Sequence, residues 1–130
     1  MKPTVADHVA GFLADRGVEV IFGLCGHTNI SLLAALSRHG GPRFVTARHE
    51  QVAAHAADGY ARTSGRPGVA LLHVGPGMTN AVTGVATAAF DSIPLLVLAG
   101  DVPSYYEGRG PHQEFNLRRD ADQVSVYEPF

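Results

Sequence analysis

Apolar and polar positions along this chain fall into alternating helical and extended stretches. Val5, Val9, Phe12 and Leu13 lay one apolar stripe along a helix, with Thr4 as its cap, Asp7 three residues after the cap and Gly17 as a stop. Val18 to Phe22 is a short β-favouring run ending at Gly23, after which Thr28 or Asn29 caps a helix through Ser37, closed by Gly40-Gly41-Pro42. The order recurs with a strand from Arg43 to Ala47 and a helix from Glu50 to Arg62, whose alanines combine high helical propensity with close packing. A third unit opens at Gly68: the apolar run Val69 to Val74, the loop Gly75-Pro76-Gly77, and a small-residue helix from Thr79 to Phe90. Pro94 to Ala99 makes a fourth strand. Asp101 to Pro111 reads as an ordered loop, followed by a short helix near Phe115 to Asp122 and a last strand at Val124 to Tyr127.

Strands that are apolar throughout, rather than alternating, are covered on both faces. The expected fold is therefore α/β, an open parallel β-sheet with helices on both faces in three α/β/α layers. Ligands of such sheets bind beyond the carboxyl ends of the strands. That singles out the loops at Gly23 to Thr28, Arg48-His49-Glu50, Gly75 to Asn80, and Gly100 onward. The helix from Thr79 to Ala89 is too apolar to be fully solvated and is expected to offer a face to a second copy.

Composition narrows the function. At 130 residues the chain is about one domain. Hydrophobic residues make up 45% and charged ones 17%, and there are 15 glycines where average usage of ~7% gives about nine, which excludes disorder. A net charge of −2 leaves no footprint for nucleic acid or an anionic membrane. Cys25, the single cysteine, cannot form an internal bridge. With no signal-like or membrane-length apolar run, the chain reads as cytoplasmic. Thirteen charged residues lie in positions 1–100 and nine in the last thirty, separating an apolar body from a polar tail.

Gly75-Pro76-Gly77-Met78-Thr79-Asn80 follows a strand and opens a helix, the context of a dinucleotide-binding turn. Against that reading, Asn80 replaces the third glycine, Pro76 removes a backbone donor, and the unit is the third of the chain. His49-Glu50 followed by His55 superficially resembles a zinc-protease helix, yet six residues at about 100° each put the two imidazoles on opposite sides. Glu50 suits the helix dipole in a first turn, and it also lies on a loop where an active site belongs. Of the seven histidines, His8 and His39 are expected on solvated surfaces, His55 within its helix, and His73 as a hydrogen-bonded core residue of an apolar strand. His27, His49 and His112 map instead to three loops at one sheet edge.

Taken together, four stretches resemble one family. They are Phe22-Gly23-Leu24-Cys25-Gly26-His27, Arg48-His49-Glu50-Gln51 with Ala54 to Arg62, Gly75 to Asn80, and Asp91-Ser92-Ile93-Pro94. The family is the thiamine diphosphate-dependent enzymes of the acetohydroxyacid synthase, pyruvate oxidase and benzoylformate decarboxylase group, and the chain resembles their N-terminal, pyrimidine-binding domain. The resemblance implies that Glu50 contacts N1′ of the cofactor's aminopyrimidine. Sharing a proton there promotes the tautomer that removes the thiazolium C2 proton. It further implies that Gly75, Pro76, Gly77 and Asn80 lie beside the pyrimidine ring.

The loop Cys25, Gly26, His27 borders the substrate region in that family, where many relatives carry a proline before the glycine and a small residue after it. His112-Gln113-Glu114 resembles the Phe-Gln-Glu stretch of the acetohydroxyacid synthase branch, with Gln113 facing the active site. The family holds the diphosphate through Mg²⁺ with a Gly-Asp-Gly motif that this sequence lacks. Residues 1–130 are accordingly expected to be a pyrimidine-binding domain incomplete at its C-terminus, inactive until a homodimer partner or a separate diphosphate-binding subunit completes it. FAD, used by part of the family, leaves no readable motif here. The implied substrate is a small 2-oxo acid or aldehyde, decarboxylated or ligated in an acetolactate synthase-like reaction. The alternative is a non-catalytic assembly or regulatory module that keeps the fold.

Overall fold

A computed structural model describes residues 2–106 and 109–114 of the chain. The expected helix at 115–122 and strand at 124–127 lie outside the described residues. In chain order the elements are α1 (Val5–Asp15), β1 (Val20–Gly23), α2 (Ile30–His39), β2 (Arg43–Thr46), α3 (Glu50–Ser64), β3 (Gly68–Leu72), α4 (Pro76–Phe90) and β4 (Leu95–Ala99). The four strands form one parallel sheet in the order β2-β1-β3-β4. The three-layer α/β/α expectation holds.

Strand parity decides which side chain enters which layer. Ile21, Val69 and Leu71 point to one face, where they pack with Ala10 and Leu13 of α1 and Ala35 and Leu36 of α2. Ala70 and Leu72 point to the other, against Ala54 and Ala57 of α3 and Met78 and Ala81 of α4, with Phe22, Leu95 and Val97 at the margin. The chain runs outward from β1 to β2 through α2 and then back past β1 to β3 through α3, so the two connections lie to opposite sides of β1. The crevice between the carboxyl ends of β1 and β3 is thus a topological switch point.

Element boundaries moved for local reasons. Thr4 caps α1 as expected, its hydroxyl accepting from the Asp7 amide at 3.2 Å while Asp7 accepts from the Thr4 amide at 2.8 Å. At the other end Val18 N donates to Leu13 O at 3.0 Å and Gly17 N to Ala14 O at 2.9 Å, with Gly17 at a φ of 72°. That Schellman closure takes Val18 away from the strand, so β1 starts at Val20 rather than Val18. Asn29 occupies the N-cap position of α2 without capping it. α4 begins at Pro76, three residues before the expected Thr79, because proline at N1 gives up a donor that has no helical partner anyway. Its outward positions Thr79, Asn80, Thr83 and Phe90 are exposed, so the apolar character expected for that face is concentrated at Phe90. Among the described residues no helix is long and apolar enough to cross a membrane.

Candidate functional site

Glu50 is the first residue of α3. His49 precedes it as the N-cap, its Nδ1 accepting from the Gln51 amide at 3.2 Å. The helix start therefore fixes the carboxylate's backbone just beyond β2, at the carboxyl edge of the sheet. Glu50 is buried, with 8% of its surface exposed, and Asn80 Nδ2, from the second turn of α4, donates to its Oε2 at 3.0 Å. Its Oε1 has no hydrogen-bond partner and the carboxylate no ion pair among the described residues.

Gly77 completes that corner. A Cβ at this position would lie 3.1 Å from Glu50 Oε1 and 3.2 Å from His73 Cβ, so only glycine leaves the approach to the carboxylate open. Gly75, at a φ of 47°, makes the turn that starts α4, and Pro76 sets its first residue. The two helices come close enough for this because Gly84 of α4 faces Ala54 of α3, where a Cβ would stand 2.6 Å from the alanine methyl.

A second cluster adjoins the first across His73. The His27 ring meets His73 edge-on with centroids 4.6 Å apart and stands 6.3 Å from His112. His73 lies within hydrogen-bond reach of two side chains, Nδ1 2.9 Å from Thr28 Oγ1 and Nε2 2.8 Å from Gln113 Oε1. Gly26 lies under the His73 ring, which a Cβ would strike. Asn29 braces the loop from within, accepting from Gly26 N at 2.9 Å and donating to Leu24 O at 2.9 Å.

Of the residues singled out by sequence, Glu50, Gly75, Pro76, Gly77 and Asn80 thus form one group, and Gly26, His27, His112 and Gln113 another beside it. Cys25 is exposed and free, and among the described residues no hydrogen bond joins it to the histidines. His49, grouped by sequence with His27 and His112, is spent as a helix cap. His73 takes its place. It is hydrogen-bonded as expected, but it lies one residue past the end of β3, half-buried in the site rather than within a strand. The available signal was its position next to Val74-Gly75, at the same sheet edge as the other loops. A cavity of about 490 Å³ lies at the amino ends of the strands, lined by Phe12, Val18, Tyr60, Pro67 and Leu96, away from these groups.

Over residues 3–125 the chain matches the family described as thiamine pyrophosphate enzyme, N-terminal TPP binding domain. It is 45% identical over 124 residues to an acetolactate synthase large subunit of Buchnera aphidicola subsp. Acyrthosiphon pisum, covering 95% of this chain and 21% of that protein. The acetolactate synthase isozyme 3 large subunit of Escherichia coli (strain K12) is 46% identical over 124 residues, with 95% and 21% covered. An acetolactate synthase large subunit of Lactococcus lactis subsp. lactis is 43% identical over 129 residues, with 98% and 21% covered. The chain spans about a fifth of the length of these relatives.

Proposed function

This chain belongs to the thiamine pyrophosphate enzymes, as their N-terminal TPP-binding domain, and on that premise we propose that Glu50, Gly75, Pro76, Gly77 and Asn80 receive the aminopyrimidine half of the cofactor. The observation that carries the reading is the Glu50 carboxylate. It is buried, held through Oε2 by Asn80, and open at Oε1 beside a glycine. A carboxylate with one committed and one open oxygen fits a ring nitrogen with which it shares a proton, and a wall without a Cβ fits a flat ring.

When bound, the cofactor supplies the carbanion-stabilising chemistry that breaks or forms bonds next to a carbonyl. The chain's own residues hold it in place and handle one proton. Asn80 fixes the carboxylate plane by donating to Oε2, which aims Oε1 into the site. With the cofactor bound, Glu50 Oε1 would give a proton to the ring nitrogen and take it back. Burial keeps water from competing for that oxygen and strengthens the exchange. Cys25, Gly26, His27, His112 and Gln113 form the wall toward the substrate, a small 2-oxo acid or aldehyde in an acetolactate synthase-like decarboxylation or carboligation. Without a Gly-Asp-Gly motif these residues offer no hold for the diphosphate and its Mg²⁺, which would be bound by residues other than these, so the 130 residues alone are inactive.

Glu50→Gln keeps the shape and the Asn80 contact but cannot pass the proton. In the full-length holoenzyme, hydrogen–deuterium exchange at C2 of bound thiamine diphosphate should slow by about 10²–10⁴-fold, the range for a positioned acid–base group. Cofactor affinity should change little. Exchange at the normal rate in that variant would sink the assignment.

A further inference from the structure

His73 touches three of the loops at this edge, and its hydrogen bonds restrict what it can do. An amide oxygen only accepts, so His73 Nε2 carries a proton and donates it to Gln113 Oε1 at 2.8 Å. A hydroxyl both donates and accepts, so Thr28 Oγ1, 2.9 Å from Nδ1, satisfies that nitrogen whether the ring is neutral or cationic. Both nitrogens are committed in either charge state. Such an imidazole has neither a lone pair nor a proton free for a substrate.

What His73 holds needs holding. Gln113 has a φ of 64°, in the left-handed region where a non-glycine residue is strained and persists only when its surroundings over-determine it. Residues 109–114 form no helix or strand. They are tied within themselves by Gly110 N donating to Glu114 Oε2 at 2.9 Å and Glu114 N to Pro111 O at 3.0 Å. The His73–Gln113 bond joins this segment to the end of β3. His27 is in the opposite condition. Its ring is exposed and stands edge-on to His73, and neither of its nitrogens has a hydrogen-bond partner among the described residues.

We propose that His73 is a positioning residue that fastens residues 109–114 across the site through Gln113 and backs the His27 ring, leaving the His27 nitrogens to receive the anionic carboxylate of a small 2-oxo acid. The fastening stands on its own; its bearing on the substrate rests on the cofactor reading above.

The test uses the full-length protein that carries this chain, with backbone hydrogen exchange of residues 109–114 and imidazole nitrogen NMR. His73→Ala should raise exchange at 110–114 by about tenfold or more, as expected for a locally released segment. His73→Gln, whose amide nitrogen can still donate to Gln113, should restore most of the protection. Thr28→Val keeps the shape, removes the hydroxyl and gives an intermediate rise; it carries the test should His73→Ala not fold. Added pyruvate should shift the His27 nitrogens and leave those of His73 unmoved, and the His27 shift should be lost in His73→Ala and recovered in His73→Gln.

Unchanged exchange in both His73→Ala and Thr28→Val, or a pyruvate shift at His73 instead of His27, overturns the proposal. Lost protection in His73→Ala beside normal C2 exchange in Glu50→Gln sinks the cofactor reading and leaves the fastening intact. Normal protection beside defective exchange does the reverse.

Discussion

The two helical layers that cover this sheet are built from different side chains. On the α1/α2 side the buried contacts are made by Leu13, Ile21, Leu36, Val69 and Leu71, with alanines at Ala10 and Ala35. On the α3/α4 side Ala54, Ala57, Ala70 and Ala81 dominate, with Gly77 and Gly84 buried in α4. Large aliphatic side chains supply burial energy and tolerate small shifts by changing rotamer. Alanine and glycine have no rotamers to change, so helices packed through them are positioned by backbone contact. The Glu50–Asn80 bond spans α3 and α4, where the contact between the helices is made through these small residues.

The sharpest way to break this contrast is to damage the aliphatic layer and ask whether the site notices. Leu71, 1% exposed in β3, should cost about 2–5 kcal/mol when cut to alanine. In urea the midpoint should fall with an unchanged slope. In the protein that remains folded, C2 exchange of bound cofactor should stay at the wild-type rate. A loss of exchange in step with stability would show that the two layers are not separable.

Gly84→Ala approaches from the other side, with a smaller effect on stability and a larger one on the site. The new methyl would lie 2.6 Å from Ala54 Cβ and 3.1 Å from the His55 amide nitrogen, and neither neighbour has a flexible end to move. Overpacking costs about 1–3 kcal/mol, offset by the ~1 kcal/mol that alanine gains over glycine in a helix. α4 must move off α3, which stretches the 3.0 Å Asn80–Glu50 bond. Thiamine diphosphate affinity of the full-length protein, measured calorimetrically, should weaken about tenfold, or ~1.4 kcal/mol. Unaltered affinity in a destabilised variant would mean that the small-residue seam is merely packing.

The same contrast explains what was legible in the sequence. Strands covered on both faces announce themselves as apolar runs, as in β1, β3 and β4, whereas the edge strand β2 shows only Phe44 and Val45 between Arg43 and Thr46. Glu50 and Asn80 were each visible within motifs, but their pairing across 30 residues was not, because it depends on how closely two helices approach. The site's second cluster was harder. His73 follows an apolar run without a break, and nothing in residues 69–74 shows that the ladder ends at Leu72. Gly100 N takes the Leu72 carbonyl at 3.2 Å, and the chain then turns toward Gly75. Asn29 was legible as a cap by residue type, whereas its amide is used to brace Gly26 and Leu24. Local propensity could not distinguish these uses, since both satisfy backbone groups near a helix start.

The smallest effect tests what else holds the aliphatic layer. At its rim Asp7 joins α1 to α2, accepting from Thr4, from Arg38 at 2.6 Å and from His39 at 3.1 Å. The Thr4 hydroxyl, followed by the Arg38 guanidinium, holds the Asp7 carboxyl well below the usual carboxylate range. A folded-state value lower than the unfolded one gives a contribution that is complete above the ordinary aspartate pKa of about 3.9 and is lost as pH falls toward the folded value. Thr4→Ala removes the hydroxyl on both sides of the capping box and should cost about 1 kcal/mol at pH 7. It also raises the folded-state value of Asp7, so the gap between variant and wild type should narrow when urea unfolding is repeated at pH 3. C2 exchange at pH 7 should be untouched in this variant. A gap of equal size at both pH values would mean that the carboxylate half of the box contributes nothing, and that α1 is held to the sheet by its apolar stripe alone.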